Sequence, residues 1–364
     1  MITVPTLLLD EAICRRNIKT MAEKARQNSL SLRPHFKTHQ SREIGKWFRE
    51  EGTRSITVSS LSMAEYFASD GWDDILVAFP VNILEIDTIN KLAGSVRLSL
   101  LVESPDIVDY LSANLTSSVS LYVKADTGYG RTGISWNDSS AFGNIFEKIK
   151  DSKKLSLKGI LTHAGNSYSA RGKAEINSVH NDSRSKLLRL HDMFSGKYPD
   201  MIVSAGDTPS CSVADDFTGI DEIRPGNYVF YDYMQYVIGS CRSADIAVAM
   251  ACPVVAAHPD RNEVVIYGGA IHFSRDSVTE KGNITSYGAV AESDDCRWGP
   301  VIEGAYLKKM SQEHGIVHVP DSLSRKYKPG DLVHILPVHS CLTAEQMKSY
   351  MTGNGKKIDH FRFS

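Results

Sequence analysis

The chain has 364 residues, a formal net charge of −2, 42% hydrophobic and 23% charged residues, and 6 cysteines. That length suits one large domain plus a smaller one with a core that needs no disulfide staples. The near-neutral balance and the short, interrupted apolar runs exclude a nucleic-acid face, a polybasic membrane patch and a bilayer span.

The opening "MITVPTLLLDEAICRR" has a short apolar run but no basic leader or cleavage-type region, and the cysteines are too sparse for a disulfide framework. A cytoplasmic setting is therefore expected. The next stretch, "ICRRNIKTMAEKA", has a helical period that predicts a helix over 11–28. "LSLRPHFK" (30–37) then reads as a strand, followed by a helix over 41–51. The alternation continues with "SITVSS" (55–60), a helix over 62–70, "DILVAFP" (74–80), and a helix over 82–93. After it come "VRLSLLV" (96–102), a helix over 105–114, "SLYVKAD" (120–126) and a helix over 138–153. "LKGILTHAG" (157–165), a helix over 173–195, "MIVSAGDT" (201–208), a short helix near 210–216 and "DEIRPGNY" (221–228) complete the series.

Eight strand–helix units in a row predict a parallel sheet closed into a (β/α)8 TIM-type barrel over 11–235. Beyond Tyr233 the texture changes. "DIAVAMACPVVAAH", "EVVIYGGAI", "GIVHVP" and "DLVHILPVH" are strands joined by Gly, Asn, Asp and Pro turns, with helical periodicity only at 343–351. A smaller C-terminal all-β domain is expected over 236–364, joined by an N-terminal strand within 1–10.

Barrel enzymes carry their chemistry on the loops after the strands. Strand one ends in Lys37-Thr38-His39, strand five in "KADTGYGRTG" and strand six in "THAGNSYS". Strand seven ends in "SAGDTPSCS" and strand eight in "RPGNYVFYD". The last two loops offer the Thr208, Ser210 and Ser212 hydroxyls, the Gly226 and Asn227 backbone N–H groups and the Tyr228 hydroxyl. They are either tight turns or a phosphate site, which barrels often form at that place. Lys37 is either an exposed strand-end lysine or, opposite a bound phosphate, the amine of a Schiff base to pyridoxal phosphate. Alternation along a strand would turn His35 to the same face as Lys37, as a neighbour of the site or as a core histidine. Near the C-terminus, His339 and Cys341 in "PVHSC" stand at i, i+2, a spacing that on a strand turns both side chains to one face; such a pair is structural or shares a metal.

Taken in order, "RPHFKTHQ", "KADTGYGRTG", "HAGNSY", "GDTPS", "RPGNYVFYD" and "PVHSC" resemble the D-serine dehydratase/D-threonine aldolase-like branch of the alanine-racemase-fold pyridoxal-phosphate enzymes. The resemblance implies that Lys37 carries pyridoxal 5'-phosphate and moves the α-proton, and that Arg131 approaches the cofactor's phenolic oxygen or ring. It implies further that Tyr168 meets the pyridine nitrogen, that Thr208, Gly226, Asn227 and Tyr228 hold the phosphate, and that His339 and Cys341 bind a metal. The thiolate favours Zn2+ over Mg2+ or Mn2+. The activity so implied is dehydration of a small-molecule 3-hydroxy-D-amino acid such as D-serine to a keto acid and ammonia. D-threonine aldolase activity is the alternative, because aldolase members tend to carry a carboxylate where Cys341 stands; a racemase and a non-catalytic pyridoxal-phosphate-binding protein rank lower. Family members are homodimers, so a homodimer is expected. His272 and "FSRD" (273–276) in the β-domain are candidates to border the site, without an assigned place in it, and Cys14, Cys211, Cys241, Cys252 and Cys296 have no partner at metal spacing.

Overall fold

The structure is a computed structural model that describes residues 2–280, 282–294 and 297–362; Cys296 lies outside them. Short strands and capped helices alternate through the first two-thirds of the chain. After β1 (Thr6–Leu9), the units are α1 (Glu11–Gln27), β2 (Ser31–Leu32), α2 (Arg42–Glu50), β3 (Ile56–Val58), α3 (Leu61–Ala68), β4 (Asp74–Pro80) and α4 (Ile86–Ala93). They continue as β5 (Arg97–Val102), α5 (Pro105–Asn114), β6 (Val119–Asp126), β7 (Ile134–Ser135), α6 (Ser139–Asp151), β8 (Leu155–Leu161) and α7 (Gly172–Phe194). β9 (Ile202–Ala205), α8 (Thr208–Val213), β10 (Glu222–Ile223) and α9 (Tyr233–Ile238) close the series.

Local chemistry sets many of these boundaries. Asp10, Ser41, Ser60, Ser104, Asp138, Asp207 and Asp232 each sit just before a helix and accept a backbone N–H of its first turn. α1 buries Cys14, Ile18, Met21 and Ala25, a stripe at spacings of three and four.

The parallel strands run in the order β2-β10-β9-β8-β6-β5-β4-β3. A parallel bridge between His35 and Thr57 joins the two ends, so the eight strands close into the expected barrel. Leu76, Leu101, Tyr122 and Leu161 form a small apolar cluster. Beside it, Glu222 receives hydrogen bonds from Arg33 Nε at 2.6 Å, Ser204 Oγ at 2.7 Å and Tyr122 Oη at 3.1 Å. Arg33 also donates to Asp74 Oδ1 at 2.6 Å. A buried pair of this kind contributes little net stability, but its donors and acceptors must all be matched at once.

The C-terminal region contains β11 (Val248–His258), β12 (Glu263–Tyr267), α10 (Ala270–Phe273), β13 (Val278–Thr279), β14 (Thr285–Ser286) and β15 (Gly288–Asp294). β16 (Arg297–Met310), β17 (His314–His318), β18 (Leu332–Pro337), α11 (Ser340–Met347), β19 (Ser349–Thr352) and β20 (Lys357–Asp359) complete it. β12-β17-β16-β15-β18-β11 run antiparallel, and β11 pairs again with β12, closing a second ring. β1 pairs antiparallel with β11 and parallel with β19.

Two sequence expectations need correcting. Strand one is not continuous over 30–37: Pro34 has no N–H for the ladder, and β2 stops at Leu32. Lys37 therefore stands in a turn, and strand alternation does not relate it to His35. Likewise His339 and Cys341 are not on a strand. β18 ends at Pro337, His339 is the N-cap of α11, and Cys341 is its second residue.

Candidate active site

Lys37 lies in the turn between β2 and α2, and its exposed side chain shares the barrel mouth with buried neighbours. The C-terminal domain braces the turn. Gln40 donates to the Lys37 carbonyl at 3.1 Å and to Glu345 of α11 at 2.6 Å, while Tyr350 Oη donates to the His39 carbonyl at 2.7 Å. Not all the basic groups of "RPHFKTHQ" reach the mouth. Arg33 is spent on Glu222 and Asp74, and His39 packs among Phe36, Phe48 and Phe67. Burial lowers the His39 imidazole to about 3. His35 stays close to the site: its Nδ1 accepts the Lys37 N–H at 3.4 Å, and burial, with Lys37 and Arg224 nearby, holds it neutral well below its ordinary value.

His163, just beyond β8, is the other imidazole at the mouth. Burial brings it to about 3, with Lys37 and Arg131 adding to the effect; Nδ1 bonds the Gly206 carbonyl at 3.0 Å, which leaves Nε2 as an acceptor. Its ring stands 5.8 Å from that of Tyr129 and 6.3 Å from that of Tyr168. Burial raises the Tyr168 phenol above its ordinary value, with Asp207 adding to the rise and Thr208 opposing it. Arg131 lies over the Tyr129 ring at 5.1 Å. Lys124, buried on β6, donates to Thr132 at 2.5 Å and is lowered to about 8 by burial and then by Arg131 and Arg224. Lys37, Lys124, Arg131 and Arg224 thus give the mouth a positive field, suited to anionic ligands.

The loops after β9 and β10 hold poorly satisfied polar atoms. Asn227 Oδ1 is buried without a hydrogen-bond partner, and Thr208 Oγ1 and Ser210 Oγ are buried with only loose contacts, to the Tyr168 phenol and the Asp207 carboxyl. Buried polar atoms of this kind cost free energy unless something else engages them, and hydroxyls in such loops match a phosphate. Gly226 brings the β10 loop against the lysine turn; a Cβ there would lie 2.9 Å from both His35 Cβ and the His35 carbonyl oxygen. The residues therefore fit the phosphate end of pyridoxal phosphate. Tyr228 differs from expectation. Its ring is fully buried and its hydroxyl lies among Tyr231, Cys211 and Cys14, so only its backbone remains for a phosphate.

His339 and Cys341 meet on the first turn of α11. Burial opposes the charge on His339, but Asp276 and Cys341 push it up to about 11. Burial likewise opposes ionisation of Cys341, yet His339 and Lys37 bring the thiol below its ordinary value. Thr38 Oγ1 lies 3.2 Å from Cys341 Sγ. One imidazole nitrogen and one thiol sulfur, adjacent to each other, fit a soft divalent ion such as zinc better than magnesium or manganese, binding having to displace the proton that Asp276 and Cys341 favour on His339. Among the described residues no group of three or more His, Cys, Asp or Glu could hold a metal.

Sequence reasoning left two carboxylates without a role. Asp232 accepts from Asn227 Nδ2 at 2.6 Å, the Ser340 N–H at 3.0 Å and Ser340 Oγ at 3.3 Å, so it ties the β10 loop to the start of α11. Asn227 Nδ2 is thereby committed within the protein. Asp276, in "FSRD", meets His339 Nδ1 at 3.2 Å. Neither the spacing nor the residue type marks them; the only hints were the stretches that contain them, "RPGNYVFYD" for Asp232 and "FSRD" for Asp276.

Comparison with known proteins fits this arrangement. The family model "Alanine racemase, N-terminal domain" matches residues 9–234, and "Putative serine dehydratase domain" matches 247–352. A D-serine dehydratase of Dictyostelium discoideum is 31% identical over 96% of this chain and 93% of its own length. This chain belongs to the D-serine dehydratase-like branch of the alanine-racemase-fold family. A D-threo-3-hydroxyaspartate dehydratase of Delftia sp. (strain HT23) is 28% identical over 95% of the chain and 93% of its own. Its solved structure superposes with a TM-score of 0.92 at 26% identity, covering 100% of this chain and 99% of that one. A mutant of the same enzyme, with the same TM-score of 0.92 and identity of 26%, has been solved in a metal-free form, covering 100% of this chain and 99% of that one. The family is one of pyridoxal-phosphate enzymes, and its fold is the barrel and antiparallel sheet described above. Among the described residues no helix is long and apolar enough to cross a membrane.

Proposed function

We propose that this chain eliminates water from a 3-hydroxy-D-amino acid, with D-serine and D-threo-3-hydroxyaspartate as the leading substrates, and releases a keto acid and ammonia. The observation that carries the reading is the meeting of Lys37 with Cys341 and His339 at one barrel mouth, beside the buried hydroxyls of Thr208 and Ser210. The two relatives described above, each matching 95% or more of this chain, are named dehydratases, which supports elimination over aldol cleavage.

Bound pyridoxal phosphate supplies an electron sink for the Cα carbanion, and bound zinc supplies a Lewis acid for the departing hydroxyl. Lys37 Nζ would be the amine that holds the cofactor aldehyde and the base that moves the Cα proton. Thr208, Ser210 and the backbone at Gly226–Tyr228 hold the phosphate, and Arg131 faces the ring side of the site. Tyr168, a neutral phenol at ordinary pH, is the partner for the pyridine nitrogen; it leaves the ring less electron-withdrawing than a carboxylate would. His163 is likewise neutral and does not compete for protons. His339 and Cys341 hold zinc, with Thr38 against the sulfur.

Product analysis tests the reading. Protein incubated with D-serine, D-threonine and 3-hydroxy-D-aspartate should yield keto acids. Glycine and an aldehyde as the main products would replace elimination by aldol cleavage. Lys37→Ala should lose the absorbance of the lysine-bound cofactor, and an unchanged spectrum would overturn the assignment of Lys37.

A further inference from the structure

The segment after α10 crosses to the metal pair in a conformation that an L-residue avoids. Ser274 has φ +75° and ψ −176°, a region essentially reserved for glycine and strained for other residues. The structure around it holds it there. The Ser274 N–H donates to Gln346 Oε1 at 3.0 Å, and Thr343 Oγ1 donates to the Phe273 carbonyl at 3.0 Å, both from α11. A glycine at 274 would avoid the strain but lack the hydroxyl, and the hydroxyl is used. Ser274 Oγ donates to Asp276 Oδ2 at 2.8 Å and accepts the Asp276 N–H at 3.3 Å. The same Oδ2 faces His339 Nδ1 at 3.2 Å.

We infer that Asp276, braced by Ser274, is a positioning residue for the metal: it accepts the Nδ1 proton of His339 and so fixes the ring and presents Nε2 as the ligand atom. An imidazole free to rotate or to change tautomer loses affinity, and carboxylates placed this way orient and strengthen histidine ligands. This inference rests on the zinc reading of His339 and Cys341. It assigns Asp276 no contact with substrate or cofactor. α11 thus carries the metal pair and also clamps the segment that orients one member of it.

The test is zinc affinity, measured on pyridoxal-phosphate-loaded protein by competition with a chromophoric chelator, with the cofactor absorbance as a check of the fold. Asp276→Ala should weaken zinc binding about 10- to 100-fold. Asp276→Asn, whose side-chain carbonyl can still accept the Nδ1 proton, should recover much of that loss, which a merely structural ion pair would not do. Ser274→Ala leaves the carboxylate but removes its brace, so it should show a smaller loss in the same direction and serves if Asp276→Ala fails to fold. His339→Ala separates the two readings. If it abolishes zinc binding while Asp276→Ala and Ser274→Ala bind like the unaltered protein, the inference fails and the metal pair stands. If the unaltered protein binds no zinc, or His339→Ala binds it equally well, both fall.

Discussion

Gly226→Ala adds one methyl group where the phosphate loop meets the lysine turn. Its Cβ would lie 2.9 Å from His35 Cβ, 2.9 Å from the His35 carbonyl oxygen and 3.2 Å from Thr38 Oγ1, where ordinary contact begins at 3.4 Å. The first two atoms sit on or next to the backbone and cannot rotate away. The His35 N–H is itself held by the Pro225 carbonyl at 2.9 Å, so the two segments cannot separate without straining that bond. Relief therefore needs a loop shift of roughly half an ångström, and overpacking of this kind costs about 1–3 kcal/mol. If the fold absorbs the strain, apo-protein stability in urea falls by that amount. If the loop moves instead, the same free energy appears as weaker pyridoxal-phosphate binding, roughly 5- to 150-fold. Absorbance titration of apo protein and urea unfolding together read both outcomes. Gly196→Ala, which has nothing within 4 Å of its added Cβ, is the control. Should Gly226→Ala match that control in both assays, the close approach of the two loops is not what holds the site.

Thr208→Val removes a buried hydroxyl whose contact within the protein is a loose one to the Tyr168 phenol. Apo stability should fall by no more than about 0.5–1.5 kcal/mol, the worth of a neutral hydrogen bond, whereas cofactor affinity should drop by about 1.5–3 kcal/mol, the worth of one to a charged group; a larger loss in titration than in unfolding experiments checks this. The buried imidazoles predict acid lability. His39 and His163 are held to about 3, so below the ordinary value of about 6.5 the unfolded chain takes up protons that the folded one refuses. Each group then costs about 1.4 kcal/mol of stability per pH unit as pH falls from about 6.5 towards 3, and nothing above that range. Urea unfolding across pH 4–6 should show the slope reduced by about one proton in His39→Leu; an unchanged slope would contradict the assignment.

The sequence exposed the barrel well because each strand is a short apolar run and many helices start at a Ser or Asp cap. It exposed Lys37, Thr208, Gly226 and the His339–Cys341 pair because a barrel concentrates chemistry on its loops, and motifs are local. Two inferences from strand alternation failed for one reason: Pro34 and Pro337 end their ladders just before the residues of interest. Tyr228 looked like a hydroxyl donor beside a glycine, but its ring belongs to the core. Asp232 and Asp276 stood in quoted stretches, yet their roles were illegible because those exist only after folding brings the β10 loop and the segment after α10 onto the same short helix. His163 stood inside a quoted motif, yet only burial and the Gly206 contact reveal its neutral form.

The most direct test of the whole account is keto-acid formation from D-serine before and after zinc is stripped, with the cofactor spectrum recorded throughout. Chelation should abolish the keto acid while the pyridoxal absorbance persists, and added zinc should restore activity in the unaltered protein but not in Cys341→Ala. Stripped protein that keeps full activity would contradict the role given to His339 and Cys341.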